Sequence, residues 1–454
     1  MIGSKLLLLS FVPAFAGILL AIGIRCLSTS VEDEATMTDP YFGLIHFVAC
    51  GPLALLYTCV AHAWLAVVNR TGGEKNPIPL PSKDEMMRRK VAIVTGSNTG
   101  IGYAVSKRLV REYGWDVILA CRTKDKALIA RDKINHFDRD HNTDGNTNAT
   151  SGKAIVLDPV LDLSNFDSIR RFVDALEKEY DNVDVLINNA GLNRSGRSPE
   201  NPDLDLMFQS NYLGHFLLTD LLLKNTLLLS SSSTEVGNKV INLSSVMHHF
   251  SKGDSLNGEG LESVASPEYW KRRAYYSDGK GAPQNVYAAS KLAAILHSLE
   301  LNRRYADARL TAIAVNPGAV NSDIWRGFPR WLREYVFEKV YLTTEEGSEP
   351  IVAAAVRNNL IADKNSIMAN NGRDDVIYVQ PYANPFSIFG GRLFPDSTSS
   401  RTAAVPSTQQ GPMIPFTELL GPYVGHIATI PRLPTNKEAA AEALWKVSKE
   451  LTES

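Results

Sequence analysis

The sequence predicts an α/β chain built on a doubly wound parallel sheet, with a transmembrane helical hairpin ahead of it. Three observations carry this reading. Short β-branched runs alternate with helical patterns from Val91 to Val315, and a Gly-rich turn joins the first run to the first helical pattern. Two long uncharged apolar stretches come earlier, before residue 70. Alternating runs of this kind are what right-handed βαβ crossovers require.

The apolar stretches come first. Leu6 to Ile24 and Phe42 to Val68 are 19 and 27 residues long and carry no charge. A hydrocarbon core of ~30 Å takes about 20 helical residues, so both are long enough to span. A cleaved signal peptide is the competing reading of the first, with Lys5 as its basic start and Ala14-Phe15-Ala16 as a cleavage site. A buried or interfacial helix competes for the second, which contains His46, His62 and Pro52. The connector has Arg25 and then the acidic Glu32-Asp33-Glu34, whereas Arg70, Lys75, Lys83, Arg88, Arg89 and Lys90 follow the second stretch. The positive-inside rule then places the main body on the cytosolic side. Residues 1–70 are the expected anchor and 71–87, rich in Gly and Pro, the linker.

The body, 88–383, opens on the strand Val91 to Val94. Further strands are predicted at Asp116 to Ala120, Ala154 to Leu157, Val183 to Ile187, Lys239 to Leu243 and Leu310 to Val315. Consecutive apolar positions in several of them suit strands covered on both faces. Asn142 to Gly152 reads as a surface loop and Ser251 to Pro283 as a polar insertion. Residues 384–434 read as irregular and partly flexible, with Phe386 to Pro412 rich in Gly, Pro, Ser and Thr. An Ala-rich helix closes the chain within 435–454.

Composition excludes other classes. The 454 residues carry 47 Lys plus Arg against 49 Asp plus Glu, a net charge of -2. No global field or basic-aromatic patch favours nucleic acid. Four cysteines, of which Cys26, Cys50 and Cys59 lie in or beside the apolar stretches, exclude a disulfide scaffold and show no metal-ligand spacing. Only Cys121 belongs to the body, which fits a reducing compartment.

The chemistry-bearing residues cluster at strand ends. Thr95-Gly96-Ser97-Asn98-Thr99-Gly100-Ile101-Gly102 follows the first strand and opens a helical pattern. Glycines there allow a tight turn and close approach of a diphosphate to unpaired N–H groups at a helix start. The second strand ends in Ala120-Cys121-Arg122 with no acid. An NAD site usually has an acid at that point for the ribose 2′-hydroxyl, whereas a planar guanidinium suits the 2′-phosphate of NADP. Tyr287-Ala288-Ala289-Ser290-Lys291 puts a phenol and an ammonium on one helix face at i, i+4. The ammonium is expected to lower the phenol pKa from ~10, so that the tyrosine exchanges protons near neutrality. Tyr276 to Lys280 has the same spacing but contains Gly279 and lies in the polar insertion, so it reads as a decoy.

These motifs, with Asn188-Asn189-Ala190-Gly191 and Ile241-Asn242-Leu243-Ser244-Ser245, occur in the order and spacing of the short-chain dehydrogenase/reductase family. Phe208 to Thr219, Ala120-Cys121-Arg122 and Val315 to Val320 resemble its retinol-dehydrogenase-like branch, and the resemblance covers roughly Arg88 to Asn359. The apolar N-terminus and long insertions resemble membrane-associated fungal members less specifically. The resemblance implies a Rossmann-type fold and a proton relay. Tyr287 matches the acid/base, Lys291 the residue that lowers its pKa and binds the nicotinamide ribose, and Ser245 the hydroxyl that holds the substrate oxygen. Asn211 matches the residue that positions a relay water. Gly96, Gly100, Ile101 and Gly102 match the cofactor turn, Asp162 an adenine contact, Asn189 a residue lining the cofactor, and Val320 and Ser322 the loop at the nicotinamide carboxamide. Position 99, often basic in NADP-preferring members, is Thr99, so NADP rests on Arg122.

The implied function is interconversion of a lipophilic ketone or aldehyde and its alcohol at a membrane of the endoplasmic reticulum or a lipid droplet. Retinoid-, steroid- and fatty-carbonyl-like substrates are not separated. Ile324 to Phe337 mixes aromatics with arginines and would cover the nicotinamide pocket or pack on the domain. Family members often form homo-oligomers through helices flanking the sheet, which the insertions would oppose. A non-catalytic nucleotide-binding scaffold is the rival reading; it has no chemical need for Asn211, Ser245, Tyr287 and Lys291 together.

Overall fold

The computed structural model describes residues 90–136, 152–229, 237–251, 263–277, 286–325, 341–357, 376–382, 423–429 and 436–453, with single positions 78, 334, 431, 433 and 434. All lie in a unit formed by Lys75–Leu419 and Tyr423–Ser454. The predicted apolar stretches, the loop 142–151, most of 324–337 and the segment Phe386 to Pro412 fall outside the described residues. Among the described residues, no helix is long and apolar enough to cross a membrane.

The chain runs β1 (Val91–Thr95), α1 (Gly100–Tyr113), β2 (Asp116–Ala120), α2 (Lys124–Asn135), β3 (Ala154–Ile155), α3 (Phe166–Glu177) and β4 (Val185–Asn188). A helical turn Leu206–Phe208 and a π-turn Gln209–Leu213 then lead into α4 (Gly214–Lys224), followed by β5 (Lys239–Leu243) and a 3-10 turn Val246–Phe250. Next come α5 (Pro267–Ala274), α6 (Val286–Arg304), β6 (Thr311–Val315), α7 (Thr344–Val356), β7 (Ile377–Tyr382), β8 (Tyr423–Thr429) and α8 (Lys437–Glu453).

The sheet order is β3-β2-β1-β4-β5-β6-β7-β8. Pairing is parallel from β3 through β7, and β8 closes the edge antiparallel to β7. The chain leaves β1 towards β2 on one side and returns to β4 on the other. This reversal opens a crevice at the carboxyl ends of β1 and β4, where doubly wound sheets bind ligands.

The central strands need apolar residues at every position because successive side chains enter different layers. In β1, Ile93 joins one core with Phe172, Phe216, Leu292 and Leu444, while Ala92 and Val94 join the other with Leu109, Ala127 and Ile351. Helices α3, α4, α6 and α8 therefore cover one face, and α1, α2 and α7 the other. Local signals set the helix ends. Asn165 accepts from the Ser168 N–H at the start of α3, and Gly114, at φ 68°, stops α1.

All six strands expected from the sequence form, several of them with trimmed ends. The structure adds β7 and β8, the latter inside the stretch that reads as irregular. The polar insertion also contributes to the core: α5 buries Tyr269 and Trp270 completely, with the Trp270 indole N–H on the Val264 carbonyl at 2.8 Å. Ser266 caps this helix and Pro267 stands in its first turn. The C-terminal helix α8 packs on α4 and α6. Its Ser448 hydroxyl is 2.9 Å from the Tyr212 hydroxyl, Lys449 reaches the buried Asp220 at 2.6 Å, and Trp445 meets Phe216 edge-on.

Candidate active site

The turn after β1 is shaped by two glycines with left-handed backbone, Gly96 at φ 64° and Gly100 at φ 60°. Gly102 allows a close approach. A Cβ there would strike the Asn189 side-chain amide and come within 2.5 Å of the Gly96 carbonyl. Asn189 holds the turn from the other side, its amide donating to the Thr95 carbonyl at 2.8 Å. Thr99 stands at the N-cap of α1 but makes no cap; its hydroxyl donates instead to Asp323 at 2.9 Å. The first N–H groups of α1 are therefore left for an anion. A cradle closed to a Cβ at Gly102 and tight at Gly96, beside an uncapped helix start, fits a dinucleotide diphosphate.

Of the other predicted cofactor residues, Ile101, Val320, Ser322 and Arg122 stand around this turn, and Asp162 lies in the loop after β3. Ile101 is half-buried beside Val320, which pairs with Leu342 across a parallel bridge. Ser322 lies 3.7 Å from the position of a Gly100 Cβ, so the loop after β6 folds over the turn. Ser322, Thr99, Gly100 and Asn321 line a cavity of about 330 Å³. Arg122 is exposed at the end of β2, directly after Cys121, whose sulfur is 3.3 Å from the Ser97 hydroxyl. Asp162 accepts from the Ser164 N–H and hydroxyl at 2.9 and 2.7 Å.

The four predicted catalytic residues come from separate elements and meet at the crevice. Ser245 follows β5 as the cap of the 3-10 turn. Tyr287 begins α6, and its hydroxyl is hydrogen-bonded to Ser245. Lys291, one turn on, donates to the Leu243 carbonyl at 3.1 Å and lies 5.5 Å from the centre of the Tyr287 ring. Asn211 sits in the π-turn, a local widening frequent at functional sites. Its amide clamps Leu192, accepting from the N–H at 2.8 Å and donating to the carbonyl at 2.9 Å. A Cβ on Gly191 would lie 3.6 Å from Asn211 Oδ1 and 3.7 Å from Lys291 Nζ, so the loop after β4 joins the two.

The electrostatics correct one expectation. Burial pushes the Tyr287 phenol up to about 12, against the lowering effect of the Ser245 hydrogen bond. Burial also brings the Lys291 amine down to about 8. Desolvation is the largest cause for both groups, so the phenol keeps its proton at neutral pH. The sequence spacing announces the pair but not how deeply both are buried.

Sequence reasoning passed over three neighbours. His215 is fully enclosed one turn after Asn211, 2.9 Å from the Thr95 hydroxyl, and burial holds its imidazole at about 4. Thr95 itself anchors the loop after β4, accepting N–H groups from Asn189 and Ala190 at 2.9 Å each. Ser290 lies 3.4 Å from the Asn211 amide. The i, i+4 spacing of Asn211 and His215 was the available signal.

A doubly wound sheet with a glycine cradle and a Ser/Tyr/Lys group at its carboxyl edge defines a nicotinamide-dinucleotide-binding oxidoreductase. The chain matches the short chain dehydrogenase family over residues 90–253. It is 34% identical over 274 residues to mouse retinol dehydrogenase 11, spanning 60% of this chain and 74% of that one. Human retinol dehydrogenase 13 is 34% identical over 278 residues, or 61% of this chain and 70% of the relative. Human polyprenol dehydrogenase is 33% identical over 294 residues, or 64% and 78%. The chain belongs to the short-chain dehydrogenase/reductase family, with retinol-dehydrogenase-like relatives, and is an oxidoreductase acting on CH–OH groups.

Proposed function

We propose that this protein is a membrane-anchored, NADP(H)-dependent oxidoreductase that interconverts a lipophilic ketone or aldehyde and its alcohol. The observation that carries the chemistry is the hydrogen-bonded Tyr287–Ser245 pair beside Lys291. When bound, the nicotinamide supplies or accepts the hydride at the carbonyl carbon. Gly96, Gly100, Ile101 and Gly102 hold the diphosphate, Asp162 and Asn189 the adenosine side and the floor, and Val320 and Ser322 the carboxamide. Ser245 holds the substrate oxygen, and Tyr287 gives that oxygen a proton on reduction or takes one on oxidation. Lys291 keeps positive charge near the phenol, and Asn211 fixes the loop that passes beneath it. The relatives named for retinol and polyprenol support a lipophilic substrate, and the two apolar stretches support an anchor in the endoplasmic reticulum or a lipid droplet, with the catalytic body towards the cytosol.

A full-length preparation in detergent or microsomes, given NADPH and long-chain or isoprenoid aldehydes, tests the reading. Turnover with NADPH is the expected result; absence of turnover with every lipid carbonyl would leave only nucleotide binding. Protease protection on intact microsomes tests the topology, since a fully shielded body would reverse it.

Two further results follow from the site. Arg122 has no acid beside it at the end of β2, so Arg122→Ala should raise the KM for NADPH about tenfold or more, the equivalent of one charge-assisted hydrogen bond. The KM for NADH should barely change, and equal effects on both cofactors would overturn the NADP assignment. Second, a phenol held at about 12 carries its proton across the neutral range. Single-turnover reduction should then vary little between pH 6 and 7, below the range in which Lys291 loses its charge. Oxidation needs the phenolate, so its rate should climb with pH over the same interval. An oxidation rate independent of pH would remove Tyr287 from the proton path.

A further inference from the structure

The Thr95 hydroxyl has one hydrogen and two N–H donors already upon it. Asn189 and Ala190 each donate to this oxygen at 2.9 Å. Its own hydrogen has two acceptors in reach, His215 Nε2 at 2.9 Å and the Ile187 carbonyl at 3.4 Å. The shorter contact takes it, so Nε2 is the bare nitrogen of the ring. A neutral imidazole then carries its proton on Nδ1, which donates to the Asn211 carbonyl at 3.0 Å.

These bonds close a circuit. Thr95 holds the first residues of the loop after β4, and the Asn211 side chain clamps its far end at Leu192. His215 joins the two holding groups, one through each ring nitrogen. Gly191, in the middle of the loop, lies against Asn211 and Lys291. The ring is 4% exposed, so water cannot replace either bond.

We propose that His215 is a positioning residue for the reaction, a neutral Nδ1–H strut that sets the loop 189–192 and the Asn211 turn relative to Lys291. It touches neither the reacting atoms nor Tyr287, and it acts through Thr95 and Asn211. The inference rests on the oxidoreductase reading above. Burial, which keeps the imidazole at about 4, and the nearby positive Lys291 both oppose a charged form. The strut is therefore not a pH switch in the range where the enzyme works.

The test uses the full chain with NADPH and a long-chain aldehyde. His215→Leu removes both bonds and should lower kcat about 30- to 100-fold, the scale of a misplacement of about 1 Å, with the KM for NADPH within about threefold. His215→Asn can still donate to the carbonyl one turn back, and His215→Gln can still accept from Thr95. Each should recover part of the lost kcat. A folded His215→Leu protein with kcat within about twofold of wild type overturns the proposal.

Nitrogen NMR of ¹⁵N-histidine-labelled wild type gives a readout that needs no variant to be active. The His215 signal, recognised by its absence from the Asn or Gln variant, should show a protonated Nδ1 and a bare Nε2. The reverse pattern would break the strut even with normal turnover. A wild type that turns over no carbonyl sinks the oxidoreductase reading instead, and the spectrum still decides the tautomer.

Discussion

Tyr287→Phe should lower kcat by about 10³-fold, within the usual range for loss of a positioned general acid. NADPH should still bind within about twofold of wild type, because the substitution removes one oxygen and leaves the ring in place. The phenol is partly buried at the start of α6, and its hydroxyl meets Ser245. Phenylalanine keeps that packing and leaves the Ser245 hydroxyl with the Met247 N–H but no phenol. Stopped-flow reduction of an aldehyde, alongside NADPH fluorescence titration, separates the two effects. Retained turnover in the folded variant would eliminate the Tyr287 relay, whereas loss of NADPH binding would mean that the tyrosine shapes the cofactor site.

The largest effect on stability is expected away from the site, at Lys239→Met. Lys239 opens the central strand β5 and is 2% exposed. Its side-chain nitrogen donates to the carbonyls of Ala354, Ala355 and Arg357 at 3.2, 3.0 and 2.8 Å. These belong to the last turn of α7 and its cap, where helix carbonyls lack partners. Methionine fills the same volume and satisfies none of them. Buried acceptors left unpaired cost about 1–3 kcal/mol each, and relaxation of the helix end recovers part of this, so a net loss of about 3 kcal/mol is expected. For a body of this size that lowers the Tm by roughly 4–5 °C, read by calorimetry.

The pH dependence of that loss has a definite sign. Burial brings the Lys239 amine from its ordinary 10.5 down to about 7. Between those values the unfolded chain binds more protons than the folded one, so this group makes the fold more stable as pH rises. The gap between wild type and Lys239→Met should widen from pH 7 to pH 9. A Tm within about 2 °C of wild type at both values would mean that α7 does not depend on this cap.

Legibility in the sequence followed physical rules. Strands such as Val91 to Val94 and Lys239 to Leu243 were readable because a sheet covered on both faces needs apolar residues in succession. The strand β8, Tyr423–Thr429, contains Gly425 and His426 and sits at the sheet edge, where propensity is weak and the partner β7 decides the pairing. Helix α5 was hidden by the charges Lys271, Arg272 and Arg273, although Tyr269 and Trp270 on the same turn were the anchors. At the site, Gly96, Gly102, Tyr287 and Lys291 could be read because turns and helices impose fixed spacings. For His215 the spacing from Asn211 was legible, but its second partner, Thr95, is 120 residues away and was not.

The sequence by itself determined the α/β class, the family and the residues that gather at the carboxyl edge of the sheet. These depend on short-range periodicity and on glycines that no other residue replaces. The tertiary structure decided the charge states and the supports. Burial raised the tyrosine and lowered the lysine, Asn211 was turned into a clamp on Leu192, and Lys239 became the cap of a helix far along the chain. Desolvation and long-range hydrogen bonds depend on what surrounds a group in space, and spacing along the chain does not record that.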